Sequence, residues 1–324
     1  MLLCYFCRLN IKASMISRRN IRVKVMQTLY AIDATSGEAT SGEALKILEK
    51  KIELSKELFT YLIYFVTEIA RYSETDAKHR ASKHLPTAKD LNVNTRIAGN
   101  QLLWKIIEDS SFKESVKQFK LSYLAESEII KKFYTLLINT PEYLEYIEIE
   151  SRDKKTERKI MEFIFTDLLL PSELFISHIE EHFINWDDDA EMMHGLVLNY
   201  FAKQDNQNFS EFISKEKWEF ATSLLNTVNS KSEYTLELIK PRLKNWDAER
   251  IAALDLIILQ MGVCEFLYFE TIPTKVTINE YIDLAKEYST EQSGQFVNGL
   301  LDNIHKDLTA ENKIEKQKYK NSTL

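Results

Sequence analysis

The chain has 324 residues, 44% of them apolar and 28% charged, with a formal charge of −7. That length exceeds the roughly 100–200 residues of one domain, so two lobes or one enlarged domain are expected. Only 7 glycines and 5 prolines occur, which argues against glycine-cradled nucleotide folds and multi-turn β architectures and favours long helices with short connections.

Charge is unevenly placed. Within residues 15–33, Arg18, Arg19, Arg22 and Lys24 face one acid, Asp33, a surplus of +3 that leaves −10 for everything else. Such a distribution suggests one confined anionic contact on a body that repels non-specific polyanions.

In chain order, Cys4 and Cys7 have no second cysteine pair or nearby histidine, so zinc is weakly supported there. Residues 1–14 lack the pattern of a cleaved leader and read as a non-native or disordered extension, with translation starting at Met15. From 17 to 33, Ile21, Val25, Thr28, Leu29 and Ile32 form a helical stripe, and Arg18 and Arg22 lie off it, so both are expected to be exposed. Ala34-Thr35-Ser36-Gly37-Glu38 repeats at once as Ala39-Thr40-Ser41-Gly42-Glu43, a polar loop. Helical patterns follow at 44–72, 96–109, 122–138, 141–150, 160–169 and 171–184, with a polar stretch over 73–95.

His178 and His182 fall one turn apart on one of these helices, but no third ligand lies close in sequence, so a solvated face is favoured over a metal site. The trio Asp187-Asp188-Asp189 reads as a helix start, where carboxylates cap amides and complement the dipole, rather than as metal ligands. Further helices are expected at 188–203, 215–228, 231–242, 247–269, 276–288 and 293–308. The apolar run Ile251–Phe269 carries Asp255, Gln260 and Glu265, which fits a buried core helix and not a membrane span. Asp255 sits either on an exposed partner face or buried with a satisfied partner, and Glu265 has no cation at helical spacing. No strand alternation persists, so the class is all-α.

The most informative stretch runs from Ile272-Pro273-Thr274-Lys275-Val276 through Asn279 to Lys286 and ends in Phe296-Val297-Asn298-Gly299-Leu300-Leu301-Asp302. A proline-marked turn delivers an amphipathic helix, and a second follows after a short Ser/Thr/Gly link. Tyr30 and Phe296 are candidate stacking platforms for single-stranded RNA, and Asn279, Gln295 and Asn298 candidate base-edge readers. The plainer alternatives stay open: Phe296 shares a stripe with Leu300 and Ile304 and would be core, Asn279 and Asn298 would cap helices, and Gly299 would allow close packing.

Three motifs carry a family resemblance: Arg18-Arg19-x-x-Arg22 with Gln27-Thr28-Leu29-Tyr30; Asn245-Trp246-Asp247-x-x-Arg250-Ile251-Ala252; and the 272–302 stretch. On these the chain resembles the NusB transcription antitermination factors, in a long form like those of the Bacteroidetes. The resemblance implies a NusB-like helical bundle whose core takes residues 15–33 and 210–308, with a helical insertion over 44–205 and a disordered tail over 309–324. It implies RNA binding rather than catalysis, no cofactor, no metal, no membrane, and a cytoplasmic setting. The implied partners are boxA-like RNA of ribosomal RNA transcripts, the small-subunit ribosomal protein NusE, and the RNA polymerase antitermination complex.

Carried over residue by residue, RNA contacts fall on Arg18, Arg19, Arg22, Tyr30, Lys275 and Gln295, and the protein-partner face includes Asp255, Gln292 and Phe296. Asn20 interrupts the arginine run, Thr274 stands where some relatives carry an aromatic group, and Gln292 and Gly294 replace a frequent Asp and His. An alternative consistent with this thinned basic motif is a protein-interaction module of the transcription or ribosome-assembly machinery without its own RNA binding. A fused RNA methyltransferase is disfavoured, because 7 glycines cannot supply its nucleotide loops.

Overall fold

The structure, a computed structural model, describes residues 15–35, 40–203, 208–243 and 252–317. Among these residues there are fifteen α-helices and no strand. The Met1–Ser14 extension, residues 36–39 of the pentapeptide repeat and the motif between 245 and 251 lie outside the described residues.

Two compact units are present: one groups Met1–Ile16 with Glu53–Ser214, the other Ser17–Ile52 with Lys215–Leu324. The chain passes from one to the other within α2 (Ser41–Ala81). This helix is 41 residues long, about 60 Å at ~1.5 Å per residue. It opens on a capping box in which the Thr40 amide donates to Glu43 and the Glu43 amide to the Thr40 hydroxyl. It closes on Lys78, His79 and Arg80, which suit the negative end of its dipole. The sequence reading stopped this helix at 72, yet polar residues without Gly or Pro do not break a helix, and Ser73 is buried.

The Glu53–Ser214 part continues through α3 (Ala88–Leu91), α4 (Gln101–Glu108), α5 (Ser110–Gln118), α6 (Ser127–Leu137), α7 (Pro141–Glu148), α8 (Lys154–Phe163), α9 (Glu173–His182) and α10 (Trp186–Lys203). Asp109 was expected to end a helix, but it also starts one, accepting from the amides of Ser111 and Phe112. A π-helical segment, Ile164–Leu169, follows α8. The core is aromatic: Phe65 lies 5.2 Å from Phe175 and 6.2 Å from Phe133, and Phe59 lies 5.6 Å from Phe209. Of the aspartate trio, Asp189 is buried and accepts from Ser55 Oγ at 2.8 Å and Asn185 Nδ2 at 2.7 Å.

The other unit packs α1 (Arg18–Ala34), α11 (Lys215–Ser230), α12 (Ser232–Ile239), α14 (Thr274–Tyr288) and α15 (Glu291–Ala310) around α13 (Ala253–Tyr268). Every residue of α13 from Ile257 to Phe266 is buried. Its three polar residues each tie it to a different neighbour. Asp255 accepts from Ser293 of α15 at 2.8 Å, Gln260 donates to Ser232 and Thr235 of α12, and Glu265 is held by α1 and α14. Gly262 makes room for α15, since a Cβ there would lie 2.9 Å from Leu301 Cδ2; Gly299, the glycine expected to serve close packing, faces open space. The tail expected to be disordered from 309 instead extends α15 to Ala310 and then docks. Lys316 Nζ donates to the carbonyls of Glu265 and Phe269, and the Gln317 amide donates to Glu270, satisfying acceptors at the end of α13.

Candidate nucleic-acid interface

Ser17 starts α1 with a capping box, its hydroxyl accepting from the Asn20 amide while the Asn20 side chain accepts from the Ser17 amide. The residue that interrupts the arginine run therefore builds the helix end that presents it. Arg19 reaches Asp283 and Glu287, and Arg22 reaches Glu280, so α1 and α14 run antiparallel with the opening arginines against the later turns of α14. The arginines that open α1 and the 272–302 stretch are thereby brought together in one unit.

Arg22 corrects the sequence reading. Its side chain is only 3% exposed, and its Nε and Nη2 donate to the two Glu265 oxygens, each at 2.9 Å. Thr277 Oγ1 and the Tyr281 hydroxyl donate to the same carboxylate at 2.7 and 3.1 Å, so each oxygen accepts two bonds. The guanidinium also lies over the rings of Phe220 and Tyr281, at 5.4 and 5.8 Å. Burial alone would lower the Arg22 pKa, but the Glu265 hydrogen bonds and the charges around it raise it above the ordinary value. Six consecutive residues, Ile21 to Met26, are buried. Most of the α1 circumference is covered at this level, which is why lying off the apolar stripe did not mean lying in water. Lys24 is buried too, with Nζ donating to Gln27 Oε1 at 3.2 Å.

Arg18 and Arg19 are the accessible pair, with side chains 43% and 38% exposed. Both meet carboxylates: Arg18 bonds Glu216 at 2.5 Å, and Arg19 bonds Glu287 at 2.8 Å and Asp283 at 3.3 Å. Burial opposes the Arg19 charge, yet the Glu287 hydrogen bond and charge raise its pKa. The +3 surplus read from the sequence therefore does not stand on this surface as an uncompensated basic patch. Exposed ion pairs of this kind are worth little and exchange partners readily, so a phosphate can compete for these guanidiniums.

Tyr30 is 48% exposed and stands three turns beyond Arg19 on the same face of α1. The antiparallel register points that end of α1 toward the first turn of α14, where Lys275 is exposed. Gln295 is exposed on α15 next to Gly294, whose Cα is backed by the Lys286 side chain late in α14.

Of the expected partner-binding residues, Gln292 is exposed, whereas Asp255 and Phe296 are buried. Phe296, Leu300 and Ile304 are all core, so the helical stripe decided for Phe296. Asp255 takes the buried option left open by the sequence; among the described residues its Oδ1 has no hydrogen-bond partner. Glu216, Glu280, Asp283, Glu287 and Phe220, which shape the surroundings of the arginines, were missed. Only Glu265 left a signal, as an acid inside an apolar run.

Comparison with known proteins adds an independent finding. Residues 179–306 match the family model described as NusB family; the match begins earlier than residue 210 and leaves 15–33 outside. The transcription antitermination protein NusB of Finegoldia magna is 40% identical over 114 residues, 34% of this chain and 83% of that protein. The protein of the same name from Methylacidiphilum infernorum is 43% identical over 103 residues (32% and 71%), and that from Geotalea daltonii 38% identical over 128 residues (38% and 87%). No solved structure matches. With most of such relatives covered at this identity, the chain belongs to the NusB family, a family of non-enzymatic factors, and carries an additional N-terminal helical region.

Proposed function

We propose that this protein is a transcription antitermination factor that holds boxA-type single-stranded RNA of ribosomal RNA transcripts. It does so together with the small-subunit ribosomal protein NusE, within the RNA polymerase antitermination complex in the cytoplasm. The observation that carries this reading is the 40% identity to a transcription antitermination protein of which the chain covers 83%.

In this reading Arg18 and Arg19 leave their surface carboxylates for RNA phosphates, Lys275 adds a third phosphate contact, Tyr30 offers a stacking face and Gln295 a base-edge contact. Arg22 acts through Glu265 by fixing α1 against α13 and α14, so it is a positioning residue. Gln292 belongs to the NusE-facing surface, while Asp255 and Phe296 set the start of α15 from beneath. The test is equilibrium binding of the full chain, with and without the ribosomal protein, to a boxA-like RNA and a scrambled control. Preference for boxA that strengthens with the partner supports the reading; equal, weak binding to both RNAs under both conditions contradicts it.

A second reading is a protein-interaction module without RNA binding of its own. It is favoured by one observation: both exposed arginines already face acids, three carboxylates in all. Capture of the ribosomal protein without RNA protection by the complex would decide for it.

A further inference from the structure

Glu126, His178 and His182, all within the Glu53–Ser214 part of their unit, each offer one ligand atom, and these atoms lie within 4.8 Å of one another. The histidines are one turn apart on α9, with ring centroids 4.7 Å apart and planes nearly perpendicular. Glu126 immediately precedes α6, so the fold supplies the third donor that the local sequence lacked.

His178 is only 4% exposed, and its Nε2 shares a 2.5 Å hydrogen bond with the Tyr61 hydroxyl. Among the described residues no hydrogen bond engages its other nitrogen, Nδ1. Metal-binding imidazoles are commonly oriented by an outer hydrogen bond to one ring nitrogen, which leaves the other for the ion. Tyr61 packs 5.0 Å from Phe183, and Phe65 lies 5.7 Å from the His178 ring, so apolar walls back the cluster on one side. Glu126 is exposed and His182 half-buried, which leaves the opposite side open to an entering ion.

We propose that Glu126, His178 and His182 form a binding site for a divalent transition-metal ion of the zinc class, tying the start of α6 to α9. Two imidazoles and one carboxylate suit Zn²⁺ with a water in the fourth position. They do not suit Ca²⁺ or Mg²⁺, which take oxygen ligands. Bonds of ~2.0–2.1 Å around a tetrahedral ion imply donor separations of about 3.4 Å. Donors within 4.8 Å of one another reach that spacing by adjustment of the two accessible side chains, Glu126 and His182, with His178 held by Tyr61.

The test uses the full chain, stripped of metal by a chelator and titrated with Zn²⁺ by calorimetry. A parallel titration with Co²⁺ reads the visible absorption of a four-coordinate ion. One equivalent is expected to bind. Affinity should fall about tenfold or more in Glu126→Gln and His182→Gln, both at accessible positions, and also in Tyr61→Phe, which removes only the outer hydrogen bond. A Cys4→Ser/Cys7→Ser variant should keep the site. Absence of saturable binding would overturn the proposal. So would one-equivalent binding that Glu126→Gln and His182→Gln leave unchanged, since it would place the ion on other groups.

Discussion

Arg22 and Glu265, from opposite ends of the chain, meet through two parallel hydrogen bonds of 2.9 Å inside the core built around α13. Two charges out of water are costly to hold, and what keeps this pair is the saturated Glu265 carboxylate, whose remaining acceptor positions are taken by Thr277 and Tyr281, with the Glu280 charge 3.5 Å from Arg22 Nη1. The pair ties α1 and α14, which carry Arg18, Arg19, Tyr30 and Lys275 of the proposed RNA surface, to the central helix α13, so its first consequence is architectural.

Arg22→Ala should therefore destabilise the protein by about 3–5 kcal/mol, because it strands the Glu265 carboxylate in the core. Chemical denaturation monitored by circular dichroism measures it. A loss under about 1 kcal/mol, as for a surface pair, would show that the arginine is not held as described.

Arg18→Ala and Arg19→Ala should behave oppositely, each changing stability by no more than about 1 kcal/mol, because their ion pairs are solvent-exposed. The same denaturation experiment compares them directly with Arg22→Ala. Equal losses at all three positions would mean that the first turn of α1 is buried as a block.

Cys264 lies fully inside α13, and burial pushes its thiol up to about 12. At pH 8 it should hold about a thousandfold less thiolate than an ordinary cysteine, and should resist alkylation until urea opens the fold. Peptide mass spectrometry after timed labelling reads this site separately from Cys4 and Cys7. Rapid labelling in the native protein would contradict the packing of α13 against α12, α14 and α15.

Lys316 gives a pH-dependent signature. Burial lowers its amine to about 8, outweighing the attraction of Glu265 and Glu270. Between that value and the ordinary 10.5 the unfolded chain holds the proton more tightly than the folded one. This group therefore works against folding below pH 8, and the penalty fades as pH rises toward 10.5. A site-resolved NMR titration should place its midpoint near 8, and a midpoint near 10.5 would mean that the tail does not dock on α13.

Much of the helical fold was legible because helical periodicity is local. The α1 stripe, the apolar run of α13 and the Phe296, Leu300, Ile304 stripe each state which residues are buried without reference to the rest of the chain. Partnership is not local. Glu265 was visible as an anomaly in an apolar helix, but its cation is on α1, and nothing in either segment names the other. Arg18 and Arg22 look alike in sequence, and only the packing of α11, α13 and α14 around α1 separates an accessible guanidinium from an enclosed one. The carboxylates beside Arg18 and Arg19 were hidden for the same reason, as was the Glu126 that completes the histidine pair. Asp109 shows a subtler limit, since one side chain can close one helix and cap the next.

The most direct test of the RNA-binding account is the salt dependence of boxA RNA binding by the full chain with its ribosomal partner, compared with the Arg18→Ala/Arg19→Ala double variant. Each phosphate contact on single-stranded RNA contributes about −0.7 to the log–log slope. Three contacts at Arg18, Arg19 and Lys275 predict a slope near −2 for the parent, and about −0.7 for the variant. Parallel lines of equal affinity would contradict the account, because they would place the RNA away from the first turn of α1.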